Sequence, residues 1–469
     1  MITSTLKTAG IAVALLLFAG PVRIPAQKPD PPPTIAELKQ EAAELKALVA
    51  KLEHRIDLLE NPPIAIAATK GPETIATAIA AAPAPPVVSP AAKPNPFEGT
   101  TFSVLLDTYY EYNFNSPIGR ANLLRAYDVS SNSFSLNQAA VVVENAPDPD
   151  AGKRWGIRLD LQYGQATQTL QGNSVNEPRP DIYREIFQAY GTYVAPVGKG
   201  LTIDFGKWSS SLGIEGNYTK DQNNYSRSLW FDFLPFYHMG VRATYNLTDK
   251  FAAHYWITNG TEQTEAFNGF KDQSFGFAWQ PNKAVNWTLN YYLGQEHPDV
   301  TYFPNGAPAG LTSLPTQQGV PFEPISNPPT GKLHILDSYI TWQASPKLSF
   351  AAEGDWVLER DFTTSPPARV DGGAGYARYQ LTPKVAIGAR AEYLSDRSGL
   401  FSGTMQALKE ATFTTDYKVA DGLLLRWEWR RDFSNHPYFY TETLGLLKRD
   451  QTTAGLGVVW WFGAKSGIW

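Results

Sequence analysis

Cysteine is absent from all 469 residues. Its absence excludes a disulfide scaffold, a thiolate metal site and a lipid anchor on a lipobox cysteine, and it fits export through an oxidising periplasm. The six histidines are scattered, with no zincin or paired-histidine spacing, and neither a GxSxG elbow nor a phosphate-binding loop occurs. Asp148 and Asp150 flank Pro149 without the EF-hand pattern, so they read as a turn and not as a calcium loop. An excess of basic residues is also missing. The formal net charge is −5, which argues against a nucleic-acid partner. Beyond the N-terminus no apolar run approaches the roughly 20 residues of a membrane-spanning helix. Neither an enzyme nor a cofactor or metal site is expected.

What is present begins with Lys7 and an apolar core from Ala9 to Ala19, followed by small residues at Ala19, Gly20 and Ala26. This is the pattern of an export signal, assigned to residues 1–26. A Pro-rich spacer occupies 27–33. Over 34–60, Ile35, Ala42, Val49 and Ile56 fall at one heptad position and Leu38, Leu45, Leu52 and Leu59 at the other. Such a seam predicts a coiled coil. An amphipathic helix lying on its own chain is the alternative, but strict 3.5-residue spacing favours self-association. Residues 61–96, rich in Ala and Pro, read as a flexible linker.

From Thr101 onward the period is two. Trp155, Ile157, Leu159, Leu161 and Tyr163 oppose Arg158, Asp160 and Gln162; Leu423, Leu425, Trp427 and Trp429 oppose Arg426, Glu428 and Arg430. Charged residues opposite a broad aromatic face suit a wet lumen surrounded by lipid better than two packed sheets, whose inner faces would be the apolar ones. Short turns at 147–153, 195–200, 246–250, 281–283, 344–347, 382–384 and 420–422 alternate with longer links. The fold class is therefore all-β, a transmembrane antiparallel barrel of about sixteen strands over 97–469, preceded by the short coiled-coil helix. With turns in the periplasm, the coiled coil lies there as well. Trp155, Trp279, Trp287, Trp342, Trp460 and Trp461 form one girdle, and Trp356, Trp427 and Trp429 lie further outward. Either Phe462 or Trp469 supplies the terminal aromatic.

One segment breaks the rhythm. At about 209–237 a polar stretch carries Glu215, Lys220, Asp221 and Arg227 between strands; it is too charged for a core and long enough to fold inward and narrow the lumen. Opposite it, the candidate wall residues are Arg390, Glu392, Arg426, Glu428 and Arg430, with Asp107, Asp160 and Glu353 elsewhere. Width and the field of such charges set selectivity in an eyelet. Arg426 and Arg430 lead, because Trp427 and Trp429 fix which face meets lipid. For each residue an ion pair within the wall or a solvated rim charge is the competing reading. Lys207 points outward by alternation, which snorkelling or a bulge would accommodate.

The run Gly206, Lys207, Trp208 through Gly213 and Glu215, then Asn224 to Ser228 and, after Pro235, His238, Gly240 and Val241, resembles the OmpL-like β-barrel porin family. The ending Val459 to Gly463 is similar to that family too, and the resemblance spans roughly 96–462. The heptad segment resembles instead the N-terminal coiled coils of trimeric porins. The resemblance implies an outer-membrane channel for small hydrophilic solutes, no catalytic residues and, through the coiled coil, a homotrimer. Two alternatives remain: an anchor whose coiled coil contacts cell wall while the barrel is plugged, and an outer-membrane hydrolase.

Overall fold

A strand that alternates greasy and polar side chains can satisfy its backbone in lipid only by pairing on both edges, and sixteen strands here do so. The computed structural model describes residues 99–463, apart from 172–176, 178, 304, 307–313 and 318. The export signal, spacer, coiled coil and linker assigned to 1–96, and Trp469, lie outside the described residues.

The barrel strands are β1 (Thr100–Asn113), β2 (Ser133–Asn145), β3 (Trp155–Tyr163), β4 (Ile186–Ala195), β5 (Leu201–Ser209), β6 (Tyr237–Thr248), β7 (Phe251–Thr258) and β8 (Asp272–Asn282). They continue as β9 (Val285–Gly294), β10 (Leu333–Ser345), β11 (Leu348–Glu359), β12 (Ala368–Gln380), β13 (Val385–Asp396), β14 (Gln406–Ala420), β15 (Leu423–Ser434) and β16 (Asp450–Gly463). Each pairs antiparallel with its sequence neighbour. Pairing of β1 with β16, from Ser103 opposite Gly463 to Asn113 opposite Thr453, closes the ring. All seven short turns expected from the sequence join strands at one end, and the long links gather at the other. In bacterial barrels the short-turn end is periplasmic.

The two rows of each strand separate as the alternation requires. Trp427 and Trp429 face outward, 44% and 37% exposed, while Arg426 and Arg430 on either side of them face inward, 1% and 0% exposed. Trp155, Trp279, Trp342 and Trp460 stand in the outer surface toward the turn end. Trp461 does not join them. It pairs with Leu105 on the inner row and packs against an inner cluster of Leu105, Ala140, Val142, Leu424 and Val459, because two consecutive strand residues cannot share a face. Lys207 lies on the parity of outward-facing Phe205, yet neither snorkels nor meets lipid: its Nζ donates to Gln171 Oε1 at 2.7 Å and sits 3.9 Å from the Tyr237 ring centroid.

Phe413, 56% exposed at the middle of β14, offers a direct measure of the lipid belt. Phe413→Arg should lower folding stability by about 2–4 kcal/mol, the cost of a guanidinium at the bilayer midplane. Denaturant titration in lipid vesicles would check it; an unchanged midpoint would mean that this face is not in hydrocarbon.

Candidate functional site

Between β5 and β6 the chain leaves the wall and enters the lumen. The stretch has no strand periodicity; it holds a single 3-10 turn at Thr219–Asp221 and the short helix Leu229–Phe233, whose first turn is capped by Ser228 Oγ accepting from Phe231 N at 2.9 Å. Pro235 follows soon after, where a helix cannot continue. A loop placed inside a barrel must find partners for every buried amide and carbonyl. The wall supplies them by charge: arginines take the carbonyls and glutamates take the amides.

Arg426 on β15 donates to the carbonyls of Thr219 (2.8 Å), Gln222 (2.8 Å) and Asn224 (3.0 Å). Arg390 on β13 donates to the carbonyls of Ser226 (2.9 Å) and Arg227 (3.2 Å), and Arg430 reaches Arg227 O at 2.5 Å. In return, Glu428 accepts from the amides of Tyr225 (2.5 Å) and Ser226 (2.8 Å), Glu392 from Leu229 N (2.9 Å), and Glu353 from Ile214 N (2.9 Å). Two aspartates hold loop hydroxyls. Asp107 receives Thr219 Oγ1 (2.7 Å) and the Tyr225 hydroxyl (2.8 Å), and Asp160 receives the Tyr218 hydroxyl at 2.6 Å. Charge-assisted bonds of this kind are stronger than neutral ones and fix geometry as well as position.

Each arginine is itself held by wall carboxylates. Arg426 pairs with Asp416 at 2.7 Å, Arg390 with Glu392 (3.0 Å) and Glu410 (3.2 Å), and Arg430 with Asp432 at 2.8 Å. Glu215 crosses from the loop to Arg390 at 2.8 Å and accepts Ser228 N at 2.6 Å. Arg227 is 1% exposed. It staples the loop to itself, donating to the carbonyls of Gly216, Asn217 and Tyr225 beneath the Tyr127 ring, 4.3 Å away. Lys220 and Asp221 at the tip pair with each other at 2.7 Å.

The structure thus brings Glu215, Arg390, Glu392, Arg426, Glu428 and Arg430 together along one flank of the loop. Asp107 and Asp160 meet its tip from β1 and β3, and Glu353 meets its root from β11. Their polar groups are spent on the loop. Sequence reasoning missed Glu410, Asp416 and Asp432, although each stands on the inward row of its strand and the alternation with Ala411 and Phe413 would have found the first two. It placed a long link at 113–132 but missed the part played by Arg125, which pairs with Asp432 at 2.8 Å, and Tyr127, which bonds Asn217 Oδ1 at 2.5 Å. No local pattern marks those two residues.

Two inward glycines let the loop lie close. A Cβ at Gly457 would stand 2.3 Å from two carbons of the Tyr225 ring, and one at Gly388 would stand 2.7 Å from Asn223 O. On the periplasmic side the tip borders open recesses. One of about 520 Å³ is lined by Lys220, Arg378, Lys384, Lys418 and Arg426 against Asp221 and Asp416; another of about 350 Å³ touches Glu215, Asp221 and Lys283. At this mouth the lysine ammoniums beside Asp249 and Asp421 hold both carboxyls below the usual range.

Toward the long-loop end the expectation of a polar, wet lumen needs correction. Over part of the ring, from β10 to β14, the inner row there carries an apolar cluster. Leu333, Ile335, Val357, Val370, Leu394 and Leu408 pack with Leu229, Trp230, Phe401 and Phe439 from the inserted segments. There the outer row still faces lipid while folded loops cover the inner one, so apolar residues stand on both faces and the alternation in polarity is lost.

A family model described as "Putative beta-barrel porin-2, OmpL-like" matches residues 99–462. No curated protein matches the sequence. Among solved structures, OmpT of Vibrio cholerae is 10% identical, with 77% of this chain and 97% of that chain covered and a TM-score of 0.46. An anion-selective porin from Comamonas acidovorans is 8% identical, covering 77% and 99%, with a TM-score of 0.48. The channel DcaP of Acinetobacter baumannii is 9% identical, covering 77% and 97%, again with 0.48. These identities are too low to transfer a solute preference. The family match runs the length of the closed sixteen-stranded wall, and the chain belongs to the OmpL-like β-barrel porin family.

Proposed function

We propose that this outer-membrane barrel lets small hydrophilic solutes diffuse passively, with the inserted loop setting the width and the charges beside its tip setting preference. The observation that carries the reading is the clamp: both carbonyls and amides of the 214–229 segment are held by charged wall residues, so the loop has a fixed place in the lumen. Five basic against two acidic side chains line the larger recess at the tip. That imbalance favours anions, since low-dielectric walls focus the field of unlike numbers of charges. The heptad seam of Ile35 to Leu59 supports assembly as a homotrimer, with the coiled coil in the periplasm and within reach of the cell wall.

Planar-bilayer recording under a potassium chloride gradient tests it. Reconstituted protein should give stable, open channels whose reversal potential lies on the anion side. Arg426→Ala should move that potential toward cations and raise conductance, because the variant loses a positive charge at the tip and three donors to loop carbonyls. An unmoved potential would remove Arg426 from the selectivity account. The apolar packing around Trp230 favours a second reading, a barrel closed at rest that serves as an anchor. Electrically silent protein would support that one.

A further inference from the structure

At the root of the loop, away from the arginines, three wall carboxylates converge. Asp337 on β10 and Glu353 and Asp355 on β11 are 0%, 7% and 5% exposed, and each places an oxygen within 4.8 Å of the other two. Asp337 and Asp355 stand directly opposite in the strand register, a cross-strand arrangement that like charges oppose. Glu353 accepts from Ile214 N (2.9 Å) and the Tyr376 hydroxyl (3.2 Å), and Asp337 accepts from Asn290 Nδ2 at 2.6 Å. Asp355 has no amide or hydroxyl donor; the group that faces it is the Asp337 carboxyl. Both of its oxygens, with Asp337 Oδ1 and Asn290 Oδ1, are buried without a hydrogen bond among the described residues. The arginines of this wall are committed elsewhere, Arg390 to Glu215, Glu392 and Glu410, and Arg378 and Arg426 to Asp416.

Buried charges are paired or bind a metal, because an isolated one costs far more than the fold can supply. We propose that Asp337, Glu353 and Asp355 bind one divalent cation of the calcium type, which fastens the root of the inserted loop to the β10–β11 wall. The donors are all oxygen, which selects a hard cation over zinc or copper. Calcium fits better than magnesium, since a dry cage of carboxylates accommodates flexible geometry and offers little of the water that magnesium retains. The loop root sits directly above: Gly213 has φ +83°, and a Cβ there would lie 3.1 Å from Glu353 Oε1. With Ile214 N already bonded to the same carboxylate, a cation in this cluster would tie wall and loop through one centre.

The consequence for conductance rests on the porin reading, but binding does not. Full-length protein would be folded from denaturant into lipopolysaccharide-free detergent, stripped with EDTA and dialysed against calcium alone or magnesium alone, with retained metal counted by mass spectrometry. The expected result is about one calcium per chain, bound at least about tenfold more weakly by Asp355→Asn, and thermal unfolding that calcium raises in the wild type only. Glu353→Gln gives the same readout should Asp355→Asn fail to fold. Wild-type protein that retains no more calcium than the variants, or whose unfolding ignores both calcium and EDTA, would overturn the site and leave a proton-sharing carboxyl cluster. A calcium-loaded barrel that conducts nothing would count against the porin reading and leave the site standing.

Discussion

Replacing Arg390 by alanine is expected to destabilise the folded barrel by about 3–5 kcal/mol and to raise single-channel conductance in whatever fraction still folds. The guanidinium is fully buried and serves two sides at once. On the wall it pairs with Glu392 and with Glu410, which Arg430 also approaches at 3.7 Å; on the loop it pairs with Glu215 and donates to the carbonyls of Ser226 and Arg227. Those three glutamate side chains are 0–5% exposed, so water cannot replace the lost partner. Removing one member of a buried network costs more than the network contributes, because the remaining charges stay desolvated and unpaired. Arg390→Lys keeps the charge but offers three donors on a flexible stem in place of a planar fork, and should fall between. Urea unfolding in detergent and bilayer recording of the same preparations provide the two readouts. A variant as stable as the wild type with unchanged conductance would show that the loop is held by something else.

The outline of this barrel is legible in the chain, whereas the use it makes of its charges is not. Alternation places Arg426 and Arg430 inside because Trp427 and Trp429 must face lipid, and each short turn marks where a strand reverses. Parity, however, names a face and says nothing about who meets it. The partners of Arg426 are Thr219, Gln222 and Asn224, some 200 positions away, brought there by a loop with no periodic signal. The choice between a pore charge and an ion pair within the wall therefore could not be made from spacing, and the geometry adds a third role, the loop fastener. Where folded loops cover the inner face and lipid meets the outer one, the rule itself lapses. Leu333 and Ile335 stand inward beside outward Leu336, and Lys207 is covered by the β3–β4 link on the face that alternation gives to lipid.

Gly457→Val should displace the tip of the loop without touching any of its charges. Its Cβ would stand 2.3 Å from Tyr225 Cδ2 and Cε2, well inside contact distance, so the ring must leave the β16 wall. Moving Tyr225 breaks its hydroxyl bond to Asp107 and strains the bond from its amide to Glu428, two of the attachments that hold the tip alongside those of Thr219 and Ser226 and the bonds from Arg426. Overpacking of this kind costs about 1–3 kcal/mol. Much of that cost should appear as a looser tip, since the strand behind Gly457 is paired on both sides and the loop is not. Recordings of the variant should show larger and noisier open-channel current than the wild type. Gly375→Ala is the control, because a Cβ there meets nothing within 4 Å and its outward row never sees the loop. Equal currents from all three proteins would mean that solute flow is limited elsewhere, and the apolar packing around Trp230 would then be the constriction to mutate.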